Sequence, residues 1–291
     1  MRSSALWPCE LPPRRSEAER PRRLSEAALL ASLACARVVP PQGVPILCYH
    51  HIADSGPVST VTPSAFRQQM ELLKEWGFQA LALDDLVARL ASADPTPSRH
   101  VVLTFDDGCG CFRREAAAVL LELGFTASVF VPVGHIGLTA AWDTPKQACC
   151  ERLLSWAEIE ELSRAGFSFY PHGLTHRRLV ELAEEELGRE LRDPHSALEA
   201  RLGKPAQVFC YPYGEASSKV RAAVRSAGYR AACGLEIGLN RRAGHLWDLR
   251  RMLVLRTTTL RGFRARATGA FSYYAGIRRF IRGGGRRPNG G

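Results

Sequence analysis

The stretch His100–Gly108, HVVLTFDDG, sets the architecture that the rest of the sequence fits. It contains a run of apolar and β-branched residues, Val101–Phe105, which predicts a buried β-strand. Asp106 and Asp107 follow this run directly and precede a glycine. An apolar strand with polar residues at its carboxyl end is typical of α/β folds whose sites lie at the strand ends.

Strands of this kind alternate with helices along most of the chain. The strands are predicted over residues 44–49, 78–83, 100–105, 127–133, 167–170, 207–211, 229–233 and 253–255. The helices are predicted over residues 62–77, 84–91, 113–123, 155–165, 184–202 and 218–227. Parallel strands need crossovers of about a dozen residues or more, which these helices supply. About seven such units predict a single irregular, incomplete (β/α) barrel.

Local signals define several of these helices. Thr62 can cap the first one and Pro63 suits its first turn. Ser155 and Glu158 have the spacing of a capping box. Pro194 falls inside the predicted helix 184–202, where we expect a kink or a break.

The net charge of +10 resides at the two ends of the chain. Residues 1–43 carry seven Arg against four Glu, and residues 261–291 carry eight Arg and no acidic residue. We therefore expect a Pro/Arg-rich, poorly ordered extension at 1–43, one folded domain at 44–260 and a basic Arg/Gly-rich tail at 261–291. The near-neutral domain contains no recognised nucleic-acid-binding module, which argues against nucleic acid as a partner. Within the tail, Ile277–Arg282 could form a basic amphipathic helix on anionic membrane.

The nine cysteines are an odd number without a CxxC pair, and this predicts reduced thiols and a cytoplasmic chain. Cys109 and Cys111 are too close in sequence for an ordinary bridge. The only apolar stretch near the N-terminus, residues 24–39, contains Glu26 and Arg37 and is too short to span a bilayer. Neither a cleavable signal peptide nor a transmembrane helix is expected.

Two motifs contain side chains that bind divalent metals. Asp106 and Asp107 repel each other as carboxylates, and a bound cation would offset that repulsion. The sequence Asp-Asp-Gly also suits an ordinary turn. His172 and His176 would share one face of a helical turn and reach one metal, although alone this spacing is more typical of two surface histidines. Together, the motifs predict a site with one carboxylate and two histidines as ligands, and with the other aspartate as a base.

A third motif, Phe209–Gly214, has the sequence FCYPYG and ends a predicted strand. Its aromatic residues and its proline predict a stiff loop. Aromatic faces suit the apolar side of a sugar ring. Alone, the motif is more typical of a structural turn.

The ordered set of motifs resembles the polysaccharide deacetylase family (NodB homology, carbohydrate esterase family 4). Thr104–Gly108 looks like the first family signature and His172–His176 like the second. Phe209–Gly214 resembles the third, in the form found in the branch that deacetylates exopolysaccharides such as poly-N-acetylglucosamine. Further matching segments are Val44–His51, Phe66–Leu86, Leu154–Trp156 and Leu249–Arg251. The resemblance covers about residues 44–260.

This resemblance implies a metal-dependent hydrolase that removes N-acetyl groups from an amino sugar in a polysaccharide, oligosaccharide or glycoconjugate. Asp106 would be the catalytic base. The metal ligands would be Asp107, His172 and His176, with zinc expected first and cobalt, nickel or iron as alternatives. The residues implied at the substrate are His50, Tyr211, Pro212, Tyr213 and Arg251. Among these, the Tyr211 backbone N–H would donate to the oxyanion, and Arg251 would lie near Asp106 or the substrate.

The sequence departs from the family pattern at several positions. Gly173 stands where Ser or Thr is usual, and Cys210 stands where many members have an Arg, which the exopolysaccharide branch also lacks. The usual Leu-x-His motif of the general acid is absent near residues 253–260, which leaves His245 as a nearby substitute. Cys109 and Cys111 beside the metal loop could be spare soft ligands or small buried fillers.

These departures keep two alternatives open. One is a catalytically weakened carbohydrate-binding protein on the same fold, and the other is a deacetylase of a small sugar conjugate. The intact set of Asp106, Asp107, His172 and His176 argues against a protein that only binds carbohydrate.

Overall fold

Parallel β-strands form the frame of the protein. The structure is a computed structural model and describes residues 42–140, 142 and 152–273, together with Leu30 and Ala34. The strands within these ranges, numbered β1 to β10, are Ile46–Tyr49, His51–Ile52, Thr60–Val61, Gln79–Ala80, His100–Phe105, Ser128–Val131, Ser168–Pro171, Val208–Cys210, Ala231–Cys233 and Met252–Leu253.

Helices connect most of these strands. In the described part of the chain, α1 to α7 are Pro63–Glu75, Leu83–Ser92, Ala117–Leu123, Trp156–Arg164, Glu184–Leu202, Ser218–Ser226 and Leu260–Ala267. A π-helical turn, Phe112–Ala116, leads into α3.

The strands pair in parallel, as the alternation of strands and helices predicts. The main sheet runs β10-β1-β5-β6-β7 with β4 also beside β5, and β8-β9 and β2-β3 form two separate pairs. Every ladder between these strands is parallel. The ladder is interrupted between β7 and β8, which agrees with the predicted irregular, incomplete barrel. The α/β class predicted from the sequence is confirmed.

Apolar side chains pack on both faces of the strands. One cluster contains residues of β1, β5, β6, β7, β8 and β9, such as Ile46, Phe130 and Val208, together with α2. Because this cluster includes the β8-β9 pair, that pair faces the same interior as the main sheet. The opposite face packs against α1, α3, α4 and α7, and its buried residues include Leu103 and Phe105. Burial on both faces explains why these strands are almost wholly apolar in sequence.

The capping signals act as the sequence predicts. Thr62 accepts a hydrogen bond from the Ala65 N–H at 3.2 Å, and Pro63 begins α1. Ser155 and Glu158 form the predicted capping box at the start of α4. Pro194 does not break α5, because the helix continues to Leu202.

The predicted domain boundary at residue 260 is wrong. Helix α7 lies beyond it, and Phe263 and Phe271 are buried in the same core as the strands. The frequent arginines of this segment hide its apolar positions, although Arg266 is itself buried and donates to the Leu253 carbonyl at 2.8 Å. Most of the predicted N-terminal extension, and the tail segment proposed to contact membrane, lie outside the described residues.

The cysteines differ from the expectation of reduced thiols. Cys109 is disulfide-bonded, whereas Cys48, Cys111, Cys210 and Cys233 are free and buried. The disulfide removes the argument from thiols for a cytoplasmic chain, so that the compartment stays a prediction. Cys111 accepts a hydrogen bond from the Ile52 N–H at 3.4 Å and fills the space behind the metal loop. Among the helices that the structure describes, none is long and apolar enough to cross a bilayer.

Burial of α7 leads to a stability prediction. Phe263 is completely buried, whereas Leu260 on the same helix is 44% exposed. We expect Phe263→Ala to lower the free energy of unfolding by about 3–5 kcal/mol because it leaves a core cavity. Leu260→Ala should change it by less than about 1 kcal/mol. Urea unfolding followed by circular dichroism measures both free energies. If Phe263→Ala lost no more stability than Leu260→Ala, α7 would not be part of the core.

Candidate active site

The residues predicted to carry chemistry lie at the carboxyl ends of neighbouring parallel strands. Asp106 and Asp107 follow β5. His172 follows β7, which is separated from β5 in the sheet by β6 alone. His50 follows β1, on the other side of β5. Because parallel strands end at the same edge, these side chains converge at one end of the barrel.

Asp107, His172 and His176 form a buried cluster. One ligand atom from each lies within 4.8 Å of the others. Asp107 Oδ1 is 3.3 Å from His176 Nε2 and 3.6 Å from His172 Nε2. Donor atoms that each lie about 2.1 Å from a tetrahedral zinc ion are about 3.4 Å apart. The observed spacing therefore fits three ligands of one divalent ion, and a carboxylate with two imidazoles suits zinc, cobalt, nickel or iron.

His172 is oriented for metal binding by the backbone of the neighbouring strand. Its Nδ1 lies 2.9 Å from the Cys210 carbonyl oxygen, which can only accept, so that Nδ1 carries the proton. Its Nε2 then faces Asp107 with a free lone pair. Burial, with the nearby His176, lowers the pKa of His172 to about 4. The imidazole is therefore neutral near pH 7, which is the form that binds a metal.

Asp107 is present as a carboxylate. Burial alone would raise its pKa, but the hydrogen bond with His176 and the nearby His50 and His172 hold the pKa well below its usual range. A ligand that is already ionised does not have to release a proton when it binds a metal. Asp107 and His172 thus have the protonation states that a metal centre needs.

Both ligand-bearing turns contain left-handed backbone at a residue other than glycine. The φ angles are 71° at Asp107 and 59° at His176. Such conformations are uncommon and concentrate at functional sites, where the surrounding structure holds them. The prediction of a helical turn between His172 and His176 is wrong, because the chain turns through left-handed Gly173 (φ 77°) instead.

Asp106 is held by a buried arginine. Arg251 donates from Nη1 to Oδ1 at 2.6 Å and from Nη2 to Oδ2 at 2.8 Å. Burial alone would raise the pKa of Asp106, but the Arg251 guanidinium outweighs it and the pKa lies below its usual value. Arg251 has no exposed side-chain surface, so the expectation that it contacts substrate is wrong. It lies near Asp106, the other position that the resemblance allows.

Cys210 occupies the position where an arginine is common in the family. The Arg251 Nη2 lies 3.2 Å from Cys210 Sγ, and the Arg251 Nε donates to the Gly234 carbonyl at 2.7 Å. Burial raises the pKa of Cys210 well above its usual value, so the thiol is neutral. The arginine that orients Asp106 therefore comes from the segment before β10, and a small thiol at 210 leaves room for it.

His50 is the histidine beside Asp106. Its Nε2 lies 4.0 Å from Asp106 Oδ2, and its side chain is 20% exposed. The adjacent His51 is buried, 3.9 Å from Asp107 Oδ2. His245, the substitute acid considered from the sequence, instead lines a different cavity with Arg221, Trp247 and Arg250. None of Asp107, His172 and His176 lines that cavity, so His245 lies apart from the candidate site.

Aromatic rings surround His176. Trp142 stacks on its imidazole with ring centroids 4.3 Å apart and 23° between the planes. Tyr213 approaches the same ring edge-on at 4.8 Å and is 41% exposed. Tyr213 was expected at the site, whereas Trp142 was not, because a single Trp outside the predicted helices and strands belongs to no periodic pattern. Both rings offer apolar surface next to the metal cluster.

The structure does not place Tyr211 and Pro212 as expected. The Tyr211 N–H donates to the Cys233 carbonyl at 3.1 Å, and its phenol donates to the Trp247 carbonyl at 3.0 Å. The N–H is therefore occupied by strand pairing, and the predicted oxyanion contact does not fit this geometry. Pro212 is buried against Gly173 and shapes the turn between the metal ligands.

Comparisons with known proteins identify the family. The family model described as polysaccharide deacetylase matches residues 93–232. The poly-beta-1,6-N-acetyl-D-glucosamine N-deacetylase of Escherichia coli strain K12 is 25% identical over 273 residues, which cover 80% of this chain and 39% of that protein. This chain thus spans less than half the length of that relative.

Solved structures show the same fold. The polysaccharide deacetylase BC0361 from Bacillus cereus is 26% identical, with a TM-score of 0.65 over 78% of this chain and 69% of that chain. The Streptococcus pyogenes deacetylase PplD is 22% identical, with a TM-score of 0.69 over 78% of this chain and 99% of that chain. The chain belongs to the polysaccharide deacetylase family with NodB homology, a class of carbohydrate de-N-acetylases. The family predicted from the sequence is confirmed.

The buried ion pair at Asp106 leads to a second stability prediction. We expect Arg251→Met to lower the free energy of unfolding by about 3–5 kcal/mol, because it leaves the Asp106 carboxylate buried without a partner. Arg250→Met is the matched control, since Arg250 is partly exposed and lies 3.6 Å from Glu236. The control should lose less than about 1 kcal/mol. Similar unfolding midpoints for the two variants in urea would contradict the assignment.

Proposed function

We propose that the protein is a metal-dependent hydrolase that removes N-acetyl groups from an amino sugar in a polysaccharide, oligosaccharide or glycoconjugate. The observation that carries the proposal is the buried cluster of Asp107, His172 and His176 beside an Asp106 that Arg251 holds in place. A metal-ligand set next to an ionised, oriented carboxylate is the arrangement that hydrolysis of an unreactive amide requires.

The metal site is proposed to consist of Asp107, His172 and His176, with zinc as the first candidate and cobalt, nickel or iron as alternatives. Such an ion supplies a Lewis acid, which polarises the amide carbonyl and makes water more acidic. The protein then contributes the groups that move protons and hold the sugar.

Asp106 is proposed as the general base that takes a proton from the attacking water. It is not needed as a ligand, because the other three residues already form a compact set. Arg251 holds both of its oxygens, which fixes the direction of the carboxylate and keeps it ionised. A base that is ionised before the reaction can accept the proton as the new carbon–oxygen bond forms.

His50 is proposed as the acid that protonates the leaving amine. It is partly exposed at the site and lies 4.0 Å from Asp106 Oδ2. A proton that Asp106 takes from water can thus pass to the nearby His50 imidazole, which would deliver it to the departing nitrogen. This assignment supplies the general acid that the missing Leu-x-His motif would otherwise provide.

The sugar is proposed to lie against Trp142 and Tyr213. Their rings flank His176 and present apolar faces, which suit the C–H side of a pyranose ring. An arginine, Arg178, lies over the Tyr213 ring at 4.4 Å and steadies it. Poly-N-acetylglucosamine and its oligomers are the first candidate substrates, because the E. coli relative is named for that polymer. A small sugar conjugate is the second.

The departures that favoured a protein that only binds carbohydrate have structural counterparts. Arg251 replaces the arginine absent at Cys210, and His50 stands beside Asp106 in place of the missing acid motif. A protein that only bound sugar would not need an oriented base, a metal-ligand set and an acid in one place. Catalysis is therefore the better interpretation of these departures.

Acetate release and metal content together test the base and ligand assignments. With N-acetylglucosamine oligomers and added Zn²⁺ or Co²⁺, we expect Asp106→Asn to keep its metal and lose about 10²–10⁴-fold in turnover. Asp107→Ala should lose the metal and the activity together. Asp85→Asn, an exposed aspartate on α2, is the control and should behave like wild type.

The possible outcomes separate the two functions. Metal binding without acetate release from oligomers, monomers or conjugates would favour the carbohydrate-binding alternative. Full activity of Asp106→Asn would sink the proposed mechanism.

The acid assignment is tested by comparing leaving groups. His50→Gln should slow release of acetate from an N-acetyl sugar by about 10²-fold or more, because the amine must be protonated to leave. The same variant should hydrolyse an aryl acetate ester nearly as fast as wild type, since a phenolate leaves without a proton. His195→Gln on α5 is the control, since the His195 side chain is 20% exposed, as is that of His50. Equal slowing on amide and ester would show that His50 has a different function.

A further inference from the structure

The turn that joins the two histidine ligands rests on a carboxylate from another element. Glu190 on α5 accepts hydrogen bonds from the backbone N–H groups of Leu174 and Thr175, at 2.7 and 3.0 Å. The Thr175 hydroxyl also donates to it. Three donors of one short turn therefore converge on one side chain that is 15 or 16 positions away in sequence.

Glu190 is buried, with only 4% of its surface exposed. A buried carboxylate is costly unless hydrogen bonds satisfy its oxygens, and the turn supplies them. Conversely, Leu174 and Thr175 lie in a loop, where no regular ladder satisfies their N–H groups. Each partner thus needs the other, which makes the contact specific.

The turn also needs external support because its backbone is strained. Gly173 has a φ angle of 77° and His176 one of 59°, so the segment passes twice through the left-handed region within four residues. Such a conformation persists only where the surroundings hold it. The Glu190 contacts fall between these two positions and fix the path that brings the His176 ring to Asp107.

Gly173 and Glu190 are sterically coupled. A Cβ atom added at Gly173 would lie 3.0 Å from Glu190 Oε2 and 3.5 Å from Pro212 Cγ. A side chain at 173 would therefore push against the carboxylate that holds the turn, in addition to the strain of its positive φ. This explains the glycine at a position where the family resemblance expects Ser or Thr.

We infer that Glu190 is a positioning residue of the metal centre, which sets metal affinity through the Gly173–Thr175 turn without touching the metal ligands' side chains. The inference rests on the proposed metal site and extends it to α5. Groups that orient metal ligands from behind typically change metal affinity by about 10–100-fold when removed. Glu190 is expected to act in that range.

The test measures metal binding, independently of turnover. Glu190→Gln keeps the size of the side chain but replaces one acceptor with an amide NH₂ that faces the turn's own donors. We expect about 10–100-fold weaker Zn²⁺ binding in chelator competition, and a changed Co²⁺ absorption spectrum. Glu199→Gln is the matched control on the same helix, since Glu199 is half-exposed and lies 3.8 Å from His195. Its affinity and spectrum should equal those of wild type.

A milder variant keeps the test decisive if Glu190→Gln folds poorly. Thr175→Val removes one of the three hydrogen bonds and should weaken Zn²⁺ binding by a few-fold, with unchanged circular dichroism of the metal-free protein. Wild-type affinity and an unaltered Co²⁺ spectrum in both variants would overturn the inference. Wild-type protein that binds metal tightly but releases no acetate would overturn the proposed activity alone, whereas failure of wild type to bind any metal would overturn both.

Discussion

The rest of the site depends on the contacts of one buried group, the Arg251 guanidinium. It joins the start of β10 to Asp106 after β5, to Cys210 at the end of β8 and to the Gly234 carbonyl after β9. Its burial is tolerated because the carboxylate and the carbonyl satisfy its donors. One side chain thus ties the separate β8-β9 pair to the main sheet, at the end of the barrel where the metal cluster lies.

This contact also gives two adjacent aspartates different environments. Asp106 accepts both hydrogen bonds from Arg251, and Asp107 turns through a left-handed backbone conformation toward His172 and His176. Adjacent carboxylates on an ordinary turn would both face water and repel each other. Here, each has its own cationic or hydrogen-bonding neighbours, and these different surroundings support the proposal of one as a base and the other as a metal ligand.

Regular elements with a strong local pattern were predictable. The strand His100–Phe105 and the helices α1 and α4 follow from apolar periodicity and capping residues. The two-residue strands β2 and β3 were missed because such short pairings depend on partners and not on local sequence. Helix α7 was missed because three arginines among its eight residues interrupt the apolar pattern, although Phe263 faces the core. The turn at His172–His176 was predicted as helical because its support, Glu190, comes from a distant helix.

The sequence by itself determined the family, the α/β class and the candidate metal-binding set Asp107, His172 and His176, because each motif depends on residue types at fixed local spacing. Only the tertiary structure decided which distant side chains complete the site. Glu190 on α5 and Trp142 join the site without any signal in the sequence. The resemblance names Arg251 and His50, and the structure decided that both lie against Asp106, His50 through the pairing of β1 with β5. Such neighbours are brought together by chain folding over long separations, and no local pattern specifies them.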